Sequence, residues 1–487
     1  SQLSGNLVIP NSVEAIGKRA FYKAYTNSAN QNITLTLSEN LQDIGEEAFA
    51  ECTKFSGDLT IPNNVTTIGN QAFYNCSGFD GKLTLSEKLE TIGDEAFREC
   101  NKVSGELKIP DSLKTIGTRA FYGLYYSETH KGTLVISKNS QLKEIKESAF
   151  QDCHNLYGNL VLPNTLTTIG SNAFNNCFKL SGAPETGDLV IPASMTAIAN
   201  STFYNCGNIK GNLKFSEGLT AIGPYAFTNC SGLKGDLHLP DSVETIGSSA
   251  FDGCYGFTGT LKLPTSLKTI ESYTFSGCSN LSGSLEIPDT VTTIGSDAFY
   301  NCKNLTGTLT FSSKLTSVGR YAFALCSQLS GTVIIPDTLT TIGDYAFQAC
   351  SALKKVYLPQ NVPTIPEHAF NTVANTKVYY RGYKKDWLTQ SDHVAGLNDS
   401  KDAINTAGSG YYWSPICYYV DVTFNANGGT FDGSATTKTV NGKDNQLYRT
   451  ENMTAEMVNA IGEPKQAGYH FVGWSLKQDG GVDDVLK

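Results

Sequence analysis

The chain carries thirteen cysteines and six histidines, the side chains that most often bind metals or act as nucleophiles. So many cysteines fit either a disulfide framework or a set of metal sites, and their spacing has to decide between the two. Twelve of them occupy the third position after a phenylalanine: Cys52, Cys76, Cys100, Cys153, Cys177, Cys206, Cys230, Cys254, Cys278, Cys302, Cys326 and Cys350. None belongs to a CxxC pair, so the spacing of zinc ligands is not found in this sequence.

The repeated cysteine position also accepts purely apolar residues. Ala24, Leu124 and Val373 stand there in three further copies. Disulfides between adjacent copies are geometrically possible, but this interchange with apolar residues favours burial. We therefore predict a row of buried free thiols that pack as small apolar side chains, with Cys417 outside the row.

The histidines show no spacing typical of a catalytic or metal site. They are His130, His154, His238, His368, His393 and His470. No two form an HExxH motif, and the chain has neither a GxSxG elbow nor a phosphate-binding glycine-rich loop. The net charge of −9 argues against a nucleic-acid partner, and no apolar run reaches the roughly 18 residues of a transmembrane helix. We expect no metal, no cofactor and no catalytic residue.

A repeat accounts for most of the chain and for the cysteine spacing. Fifteen phenylalanines mark its copies: Phe21, Phe49, Phe73, Phe97, Phe121, Phe150, Phe174, Phe203, Phe227, Phe251, Phe275, Phe299, Phe323, Phe347 and Phe370. Most steps are 24 residues, three are 28 or 29, and the last is 23. One copy cannot bury its own apolar side chains, so we expect stacked coils that share a core.

Two short extended segments are predicted within each copy. Residues 285–287 alternate apolar and polar side chains, which indicates a strand, and Pro288 ends it because proline cannot donate to a ladder. Residues 291–294 form a second extended segment. Gly295, which recurs after this segment in most copies, predicts a positive φ or a tight corner.

The segment after this glycine places Ala298, Cys302 and Leu305 four and three residues apart. That spacing predicts one face of a single helical turn, with a small alanine where backbones approach closely. Gly307 then turns the chain into the strand of the next copy. Strands that alternate with such turns predict an α/β-type repeat solenoid.

The repeated pattern Leu-x-Ile-Pro-x-x-Val-x-x-Ile-Gly-x-x-Ala-Phe-x-x-Cys-x-x-Leu resembles the BspA-like leucine-rich repeats of bacterial surface proteins. The resemblance covers residues 1–380. It implies a right-handed leucine-rich repeat solenoid with a parallel sheet on its concave face. It also implies an extracellular protein, at the cell surface or secreted, that adheres to host or matrix proteins or to other microbes.

The repeat decays in the C-terminal part of the chain. Residues 381–419 are predicted to cap the open end of the array, with a partly ordered linker as the alternative. Residues 422–430 and 468–474 resemble two motifs of the Listeria–Bacteroides repeat, a small β-grasp-like module of bacterial surface proteins. This resemblance assigns residues 420–487 to such a module, with a short helix over residues 454–461 and a spacer or interaction role.

The outward strand positions carry the densest polar group of the predicted solenoid. Asp236 and His238 share one strand, and Lys214 and Lys262 occupy the strands on either side. Charges along the other strands are scattered and mixed in sign, which favours a solvated contact surface over acid–base catalysis. We interpret these four residues as candidate partner-binding residues.

Three copies are longer than the others and suggest a second contact region. The additions fall within residues 23–32, 124–131 and 183–186, all in the turn that leads into the concave strand. Insertions on one side of a repeat array often mark binding. Tyr125 and Tyr126 have no role in the repeat, and tyrosine is a common contact anchor, so both are candidate binding residues. Surface drift without function is the alternative.

These features predict a non-enzymatic protein that binds a protein or glycan partner through its solenoid, without a nucleic-acid partner or membrane insertion. An architectural spacer without a ligand of its own is the second interpretation, and a polysaccharide-active enzyme is the third. The chain begins with Ser1 rather than Met, so we expect it to be trimmed from a longer protein.

Overall fold

In the computed structural model, the chain winds into a stack of coils whose equivalent residues lie one coil apart. The structure describes residues 5–26, 32–359, 361, 363–366, 368–370 and 373, and the backbone of five strands between residues 377 and 486. Each coil contributes a front strand, a back strand and a turn, and most of these segments bond to their counterparts in the next coil. Three ladders therefore run along the stack.

The front ladder contains the strand that opens each coil. Its members are β1 (Leu7–Val8), β3 (Leu35–Thr36), β5 (Leu59–Thr60), β7 (Leu83–Thr84), β9 (Gly105–Ile109), β11 (Gly132–Ile136), β13 (Leu156–Tyr157), β15 (Leu189–Val190), β17 (Leu213–Lys214), β19 (Leu237–His238), β21 (Leu261–Lys262), β23 (Gly283–Glu286), β25 (Leu305–Thr310), β27 (Leu329–Ile334), β29 (Leu353–Leu358) and β30 (Lys377–Tyr383). Within each sheet of this ladder neighbouring strands pair in parallel, single bridges link successive sheets, and Leu107 faces Leu134 in register. Buried and exposed residues alternate along β9, so the predicted parallel sheet is confirmed.

The back ladder contains the second extended segment of each coil. Its members are β2 (Ala15–Ile16), β4 (Asp43–Ile44), β6 (Thr67–Ile68), β8 (Thr91–Ile92), β10 (Thr115–Ile116), β12 (Glu144–Ile145), β14 (Thr168–Ile169), β16 (Ala197–Ile198), β18 (Ala221–Ile222), β20 (Thr245–Ile246), β22 (Thr269–Ile270), β24 (Thr293–Ile294), β26 (Ser317–Val318) and β28 (Thr341–Ile342). These strands also pair in parallel, isoleucine facing isoleucine in most pairs. Each isoleucine is buried, so the ladder forms a second wall of the core.

The third ladder is made by the turns around the repeated phenylalanine, and we call it the turn ladder. The Phe299 N–H donates to the Ala322 carbonyl of the next coil at 2.8 Å, and the N–H groups of Asp297 and Asn301 make equivalent bonds. The Tyr300 N–H between them donates instead to the Asp297 carbonyl, at 3.1 Å. Successive amides therefore alternate between a bond to the next coil and a bond within their own coil.

This arrangement corrects the predicted helical turn. The described residues contain no helix, because an α-helix would direct every amide to its own chain four residues back. Asp297 and Asn301 have φ values of 56° and 58°, in the left-handed region that interrupts a right-handed helix. The spacing of Ala298, Cys302 and Leu305 places all three side chains in the core through turns instead.

The stacked phenylalanines form the centre of the core. Phe251 is fully buried, and its ring centroid lies 5.3 Å from that of Phe227 and 5.7 Å from that of Phe275, with nearly parallel planes. Equivalent stacks continue from Phe21 to Phe370. Each coil therefore buries its aromatic ring only between two neighbouring coils.

The glycine after the back strand is required by close approach rather than by a positive φ. A Cβ on Gly295 would lie 2.5 Å from the Ser272 nitrogen of the preceding coil, and the residue has an ordinary φ. Of the two predicted reasons for this glycine, the tight corner is confirmed. The positive φ belongs to Gly307, at +75°, where the chain turns into the next front strand.

At the C-terminal end, the front ladder continues past the repeats. β30 pairs in parallel with β29 and with β31 (Ile416–Asn425), and β31 pairs antiparallel with β32 (Thr437–Gly442). β33 (Trp474–Ser475) and β34 (Val485–Leu486) form a further antiparallel pair. The boundary predicted between residues 419 and 420 falls inside β31. The helix predicted over residues 454–461 lies outside the described residues.

Candidate binding surfaces

The front ladder brings Asp236, His238 and Thr260 together on the exposed side of two adjacent coils. The backbone N–H and the hydroxyl of Thr260 donate to Asp236 Oδ1 at 2.7 and 2.9 Å. His238 Nε2 lies 2.9 Å from Thr260 Oγ1. Because the threonine proton is committed to Asp236, His238 Nε2 is the donor to Thr260 Oγ1. A ring nitrogen that donates this bond does not act as the base that would activate the hydroxyl.

The two lysines predicted for the same group have other partners. Lys214 Nζ lies 2.6 Å from Asp188 Oδ2 in the preceding coil, and Lys262 Nζ lies 3.1 Å from Asp241 Oδ2. Both lysine side chains are more than half exposed, whereas Asp188 is almost fully buried. The structure therefore places the lysines on the predicted ladder but pairs them with neighbouring carboxylates rather than with Asp236.

Hydrogen bonds lower the pKa of two carboxyls on this ladder. The N–H of Thr260 is the main cause of the lowered pKa of Asp236. Burial raises the pKa of Asp188, but bonds from Lys214 and from the Asn212 N–H bring it below its ordinary value. Both carboxyls are ionised at neutral pH, and neither has the raised pKa of a general acid. Asp236 therefore presents a fixed negative charge to solvent, whereas the buried charge of Asp188 is paired with Lys214.

Tyr125 lies in the core, which corrects the prediction that it contacts a partner. Its side chain is fully buried beside Gly132, where a Cβ would lie 2.1 Å from Tyr125 Cζ. The coil of Tyr125 has no equivalent of Leu156, the leucine buried six residues after the phenylalanine in the next coil, and the tyrosine ring takes that role. Tyr25 is buried in the first long coil in the same way, with its ring 5.3 Å from that of Phe55.

Tyr126 is exposed and begins an aromatic strip that crosses three adjacent coils. Its side chain is 56% exposed, and its ring centroid lies 4.4 Å from that of His154. The His154 ring lies 5.0 Å from the ring of Phe178, which is 39% exposed. We call Tyr126, His154 and Phe178 the corner strip, because they lie where the chain passes from the turn ladder to the next front strand.

Tyr126 is among the residues predicted from the sequence, whereas His154 and Phe178 are not. Both lie four residues after a stacked phenylalanine, so stacking places them side by side. A comparison of this position from coil to coil, rather than of the outward strand positions alone, would have found His154 and Phe178. The same holds for Thr260, whose position one coil after Asp236 predicts the contact that the structure contains.

The insertions accompany this strip. Residues 124–131 lie directly before β11, and residues 183–186 lie shortly before β15, so both additions lead into front strands as predicted. Part of the first insertion, residues 27–31, lies outside the described residues. The two described insertions belong to the coils of Tyr126 and Phe178, on either side of the coil of His154.

The twelve repeated cysteines are free and buried, as predicted. Each thiol donates to the carbonyl of the phenylalanine in the preceding coil, and Cys302 Sγ lies 3.1 Å from the Phe275 oxygen. Burial raises the pKa of the Cys100 and Cys326 thiols to about 12. These side chains therefore pack and donate hydrogen bonds rather than act as nucleophiles. The Cys417 side chain lies outside the described residues.

Along the described part of the chain, no cluster of three or more histidine, cysteine or acidic side chains is arranged to hold a metal ion. Over the same residues, no helix has the length and apolar character needed to cross a membrane. The front ladder and the corner strip are the surfaces that contain the predicted binding residues that are exposed.

Stacked coils with parallel ladders and a shared apolar core define the chain as a leucine-rich repeat solenoid. The family profile described as "BspA type Leucine rich repeat region (6 copies)" matches residues 3–128, 81–210, 124–258, 196–329 and 282–382. The chain belongs to this family. No curated protein matches it.

Solved structures include similar solenoids. A leucine-rich repeat protein from Bacteroides ovatus is 25% identical, with a TM-score of 0.51, and the match covers 77% of this chain and 83% of that one. A leucine rich cell surface protein from Faecalibacterium prausnitzii is 24% identical over 80% of this chain and 90% of that one, with a TM-score of 0.33. The pneumococcal vaccine antigen PcpA is 20% identical over 80% and 89%, with a TM-score of 0.40. The Bacteroides ovatus protein supports the fold described above.

Proposed function

We propose that the chain is a non-enzymatic surface protein that binds a protein partner through its front ladder. The surface location rests on the family to which the repeats belong. The observation that carries the binding role is the network in which His238, Thr260 and Asp236 hold one another across two coils. Side chains that are already held in place lose little conformational entropy when a partner binds.

The charges of the front ladder add specificity to this proposal. Lys214 and Lys262 keep more than half of their side-chain surface exposed while bonded to carboxylates. An interface with an ordered pattern of charges selects partners by complementarity and guides their approach. The partner is therefore expected to present acidic and hydrogen-bonding groups at the spacing of adjacent coils.

The test uses the full chain on arrays of purified extracellular-matrix, serum and microbial-surface proteins. A front-ladder variant combines Lys214→Ala, His238→Ala and Lys262→Ala. Its matched control combines Glu244→Ala and Lys268→Ala, two exposed residues beside the back strands of the same coils. Unfolding curves of all three proteins establish that they are folded.

The proposal predicts a protein ligand whose binding is lost in the front-ladder variant and retained in the control variant. Binding that both variants keep would place the contact elsewhere. No protein ligand, together with normal display at a cell surface, would favour an architectural spacer. Measurable polysaccharide turnover by the full chain would favour an enzyme and overturn the proposal.

A further inference from the structure

Two residues of the corner strip, His154 and Phe178, occupy a position that repeat packing leaves free, four residues after a stacked phenylalanine. Tyr126 lies five residues after Phe121, because the buried Tyr125 takes the fourth position in that coil. Outside the strip, the fourth residue after the stacked phenylalanine in coils without an insertion is one of the following: Thr53, Ser77, Asn101, Gly207, Ser231, Tyr255, Ser279, Lys303, Ser327 and Ser351. The coils form equally well with small or polar side chains here. The rings of His154 and Phe178 are therefore not explained by the fold, and Tyr126 adds a third ring from an insertion that the repeat does not contain.

The three rings form one continuous apolar surface. The planes of Tyr126 and His154 are tilted by 34°, and those of His154 and Phe178 by 48°. Tilted rings present parts of their faces to solvent, where parallel stacked rings would present mainly their edges. In the next coil, Gly207 stands at this position and adds no side chain beside Phe178. The strip is therefore open at that end.

Hydrogen-bonding groups border the strip on the side of the turn ladder. His154 Nε2 lies 3.7 Å from Asp152 Oδ1, and that carboxylate accepts a bond of 2.7 Å from Asn176 Nδ2. The series continues as Asn205 donates to Asn176 at 2.8 Å and Asn229 donates to Asn205 at 2.9 Å. A row of oriented amides that ends on a carboxylate thus runs beside the rings.

The loops that lead from Tyr126 and Phe178 to the next front strands carry hydroxyl groups. In the first described insertion, the hydroxyls of Ser127 and Thr129 lie 2.8 Å apart. In the second, the exposed Thr186 accepts a bond from the Asp188 N–H. Both insertions begin within a few residues of the strip. The aromatic residues are therefore accompanied by amides in the turn ladder and by hydroxyls in the loops that follow.

We propose that the corner strip binds a neutral glycan. The exposed charged side chains of its loops are Glu128, Lys131, Lys179 and Glu185, two of each sign. A pyranose ring presents a face of C–H bonds, which packs on an aromatic ring, and an edge of hydroxyls, which bonds to surrounding polar groups. This site lies apart from the front-ladder residues, so the inference goes beyond the function proposed above.

The strip fits a sugar chain better than a protein partner. A stable protein interface buries about 800 Å² on each partner, around anchors that fill pockets. The corner strip is a single row of three side chains, with polar groups in the adjacent turns and loops. A chain of sugar rings can lie along such a row, with one ring on Tyr126 and another on Phe178, and with hydroxyls bonded to Asp152 and His154.

The test measures binding of the full chain to a glycan array that includes cello-, malto- and chito-oligosaccharides. Saturation-transfer NMR then identifies the sugar protons that contact aromatic rings. The test variants are Tyr126→Ala and Phe178→Ala, and the conservative variants Tyr126→Phe and Phe178→Tyr keep the ring. Tyr255→Ala is the matched control, since Tyr255 is 54% exposed at the same position between Ser231 and Ser279.

The proposal predicts that each alanine variant weakens glycan binding by about tenfold or more, as expected for the loss of one stacked ring. The conservative variants, Tyr255→Ala and the front-ladder variant should all keep the affinity of the unchanged chain. Absence of binding to any array glycan would overturn the proposal, as would equal losses in Tyr255→Ala. Loss of a protein ligand, but of no glycan, in the strip variants would show a protein contact instead.

Discussion

The turn ladder and the corner that follows it differ in how much their residues vary between coils. In the turn ladder, each phenylalanine fills the same space between two neighbours, and ring centroids stay 4.8–5.8 Å apart along the whole stack. Four residues later, the coils without an insertion carry threonine, serine, asparagine, glycine, lysine, histidine or tyrosine. Close packing allows little substitution in the first case, whereas solvent allows many in the second.

This difference shows where function can be added to a repeat protein. A residue that repeats in every coil serves the stack, because each copy meets the same neighbours. A residue that departs from its own repeat at an exposed position is free of that constraint. Tyr126, His154 and Phe178 depart in this way, and Tyr125 marks the limit of the rule because it departs from the repeat yet is buried.

The largest effect should come from removing a ring of the turn ladder. Phe251→Ala should lower the free energy of unfolding by about 3–5 kcal/mol, because Phe251 stacks on a ring on each side. Tyr255→Ala, at the corner of the same coil, should change it by less than about 0.5 kcal/mol. Denaturant unfolding with hydrogen exchange of the neighbouring coils measures both changes. Similar losses for the two variants would contradict the comparison.

Two adjacent tyrosines offer a sharper form of the same comparison. Tyr125→Ala should cost about 3 kcal/mol by leaving a cavity beside Gly132, whereas Tyr126→Ala should cost less than about 0.5 kcal/mol. Among the described residues, the buried hydroxyl of Tyr125 has no hydrogen-bond partner. Tyr125→Phe should therefore stabilise the chain by about 1 kcal/mol. Thermal unfolding measures all three, and a strongly destabilised Tyr125→Phe would show that the hydroxyl is bonded.

The sequence predicts the parts of the fold that depend on burial at a fixed register. The parallel front strands, the stacked phenylalanines and the free thiols follow because every coil repeats the same inward residues. The helical turn is wrong because spacings of three and four residues place Ala298, Cys302 and Leu305 on one side of either a helix or a turn. The bonds to the next coil, which decide between the two, are not local in sequence.

The candidate site is predicted less completely than the fold. The ladder positions of Asp236 and His238 follow from strand alternation, but Lys214 and Lys262 select carboxylates through side-chain conformations that no pattern specifies. Tyr125 lies in the core because its long coil has no leucine to fill that space. An aromatic residue without a role in the repeat therefore does not by itself indicate a binding site, because it can be buried in the core.

A smaller effect should follow from removing a thiol of the turn ladder. Cys302→Ala should lower the free energy of unfolding by about 1–2 kcal/mol, because it loses the hydrogen bond to the Phe275 carbonyl and leaves a small cavity. Lys303→Ala, at the exposed corner position next to it, is the control and should have almost no effect. Denaturant unfolding measures both variants.

The reactivity of the thiols tests whether the repeated cysteines are buried and free. Burial raises the pKa of Cys100 and Cys326 to about 12, so at pH 8 the native protein should react with a thiol reagent far more slowly than the unfolded protein. After denaturation without a reductant, the twelve repeated cysteines should all react. Fewer reactive thiols would mean that disulfides form between coils.

The smallest expected change in the free energy of unfolding comes from two carboxyls whose pKa values are shifted in opposite directions. Hydrogen bonds from Thr260 lower the pKa of Asp236 on the front ladder. In the turn ladder, burial raises the pKa of Asp252, and the neighbouring charge of Asp297 adds to this shift. A lowered pKa means that the ionised group stabilises the fold, and a raised pKa means that ionisation opposes it.

Asp236→Asn should therefore destabilise the chain at pH 7 by less than about 1 kcal/mol, since the group is exposed. The stabilisation that it removes is present above the unfolded pKa of about 3.9 and is lost as the pH falls through the lowered folded pKa. Asp252→Asn should instead stabilise the chain at pH 7, and this gain should fade as the pH falls through the raised pKa of Asp252. Unfolding curves between pH 3 and pH 7 measure both slopes. If the change in unfolding free energy follows pH in the same way for both variants, the opposite pKa shifts of Asp236 and Asp252 are contradicted. Opposite slopes would show that the two ladders differ in electrostatics as well as in packing.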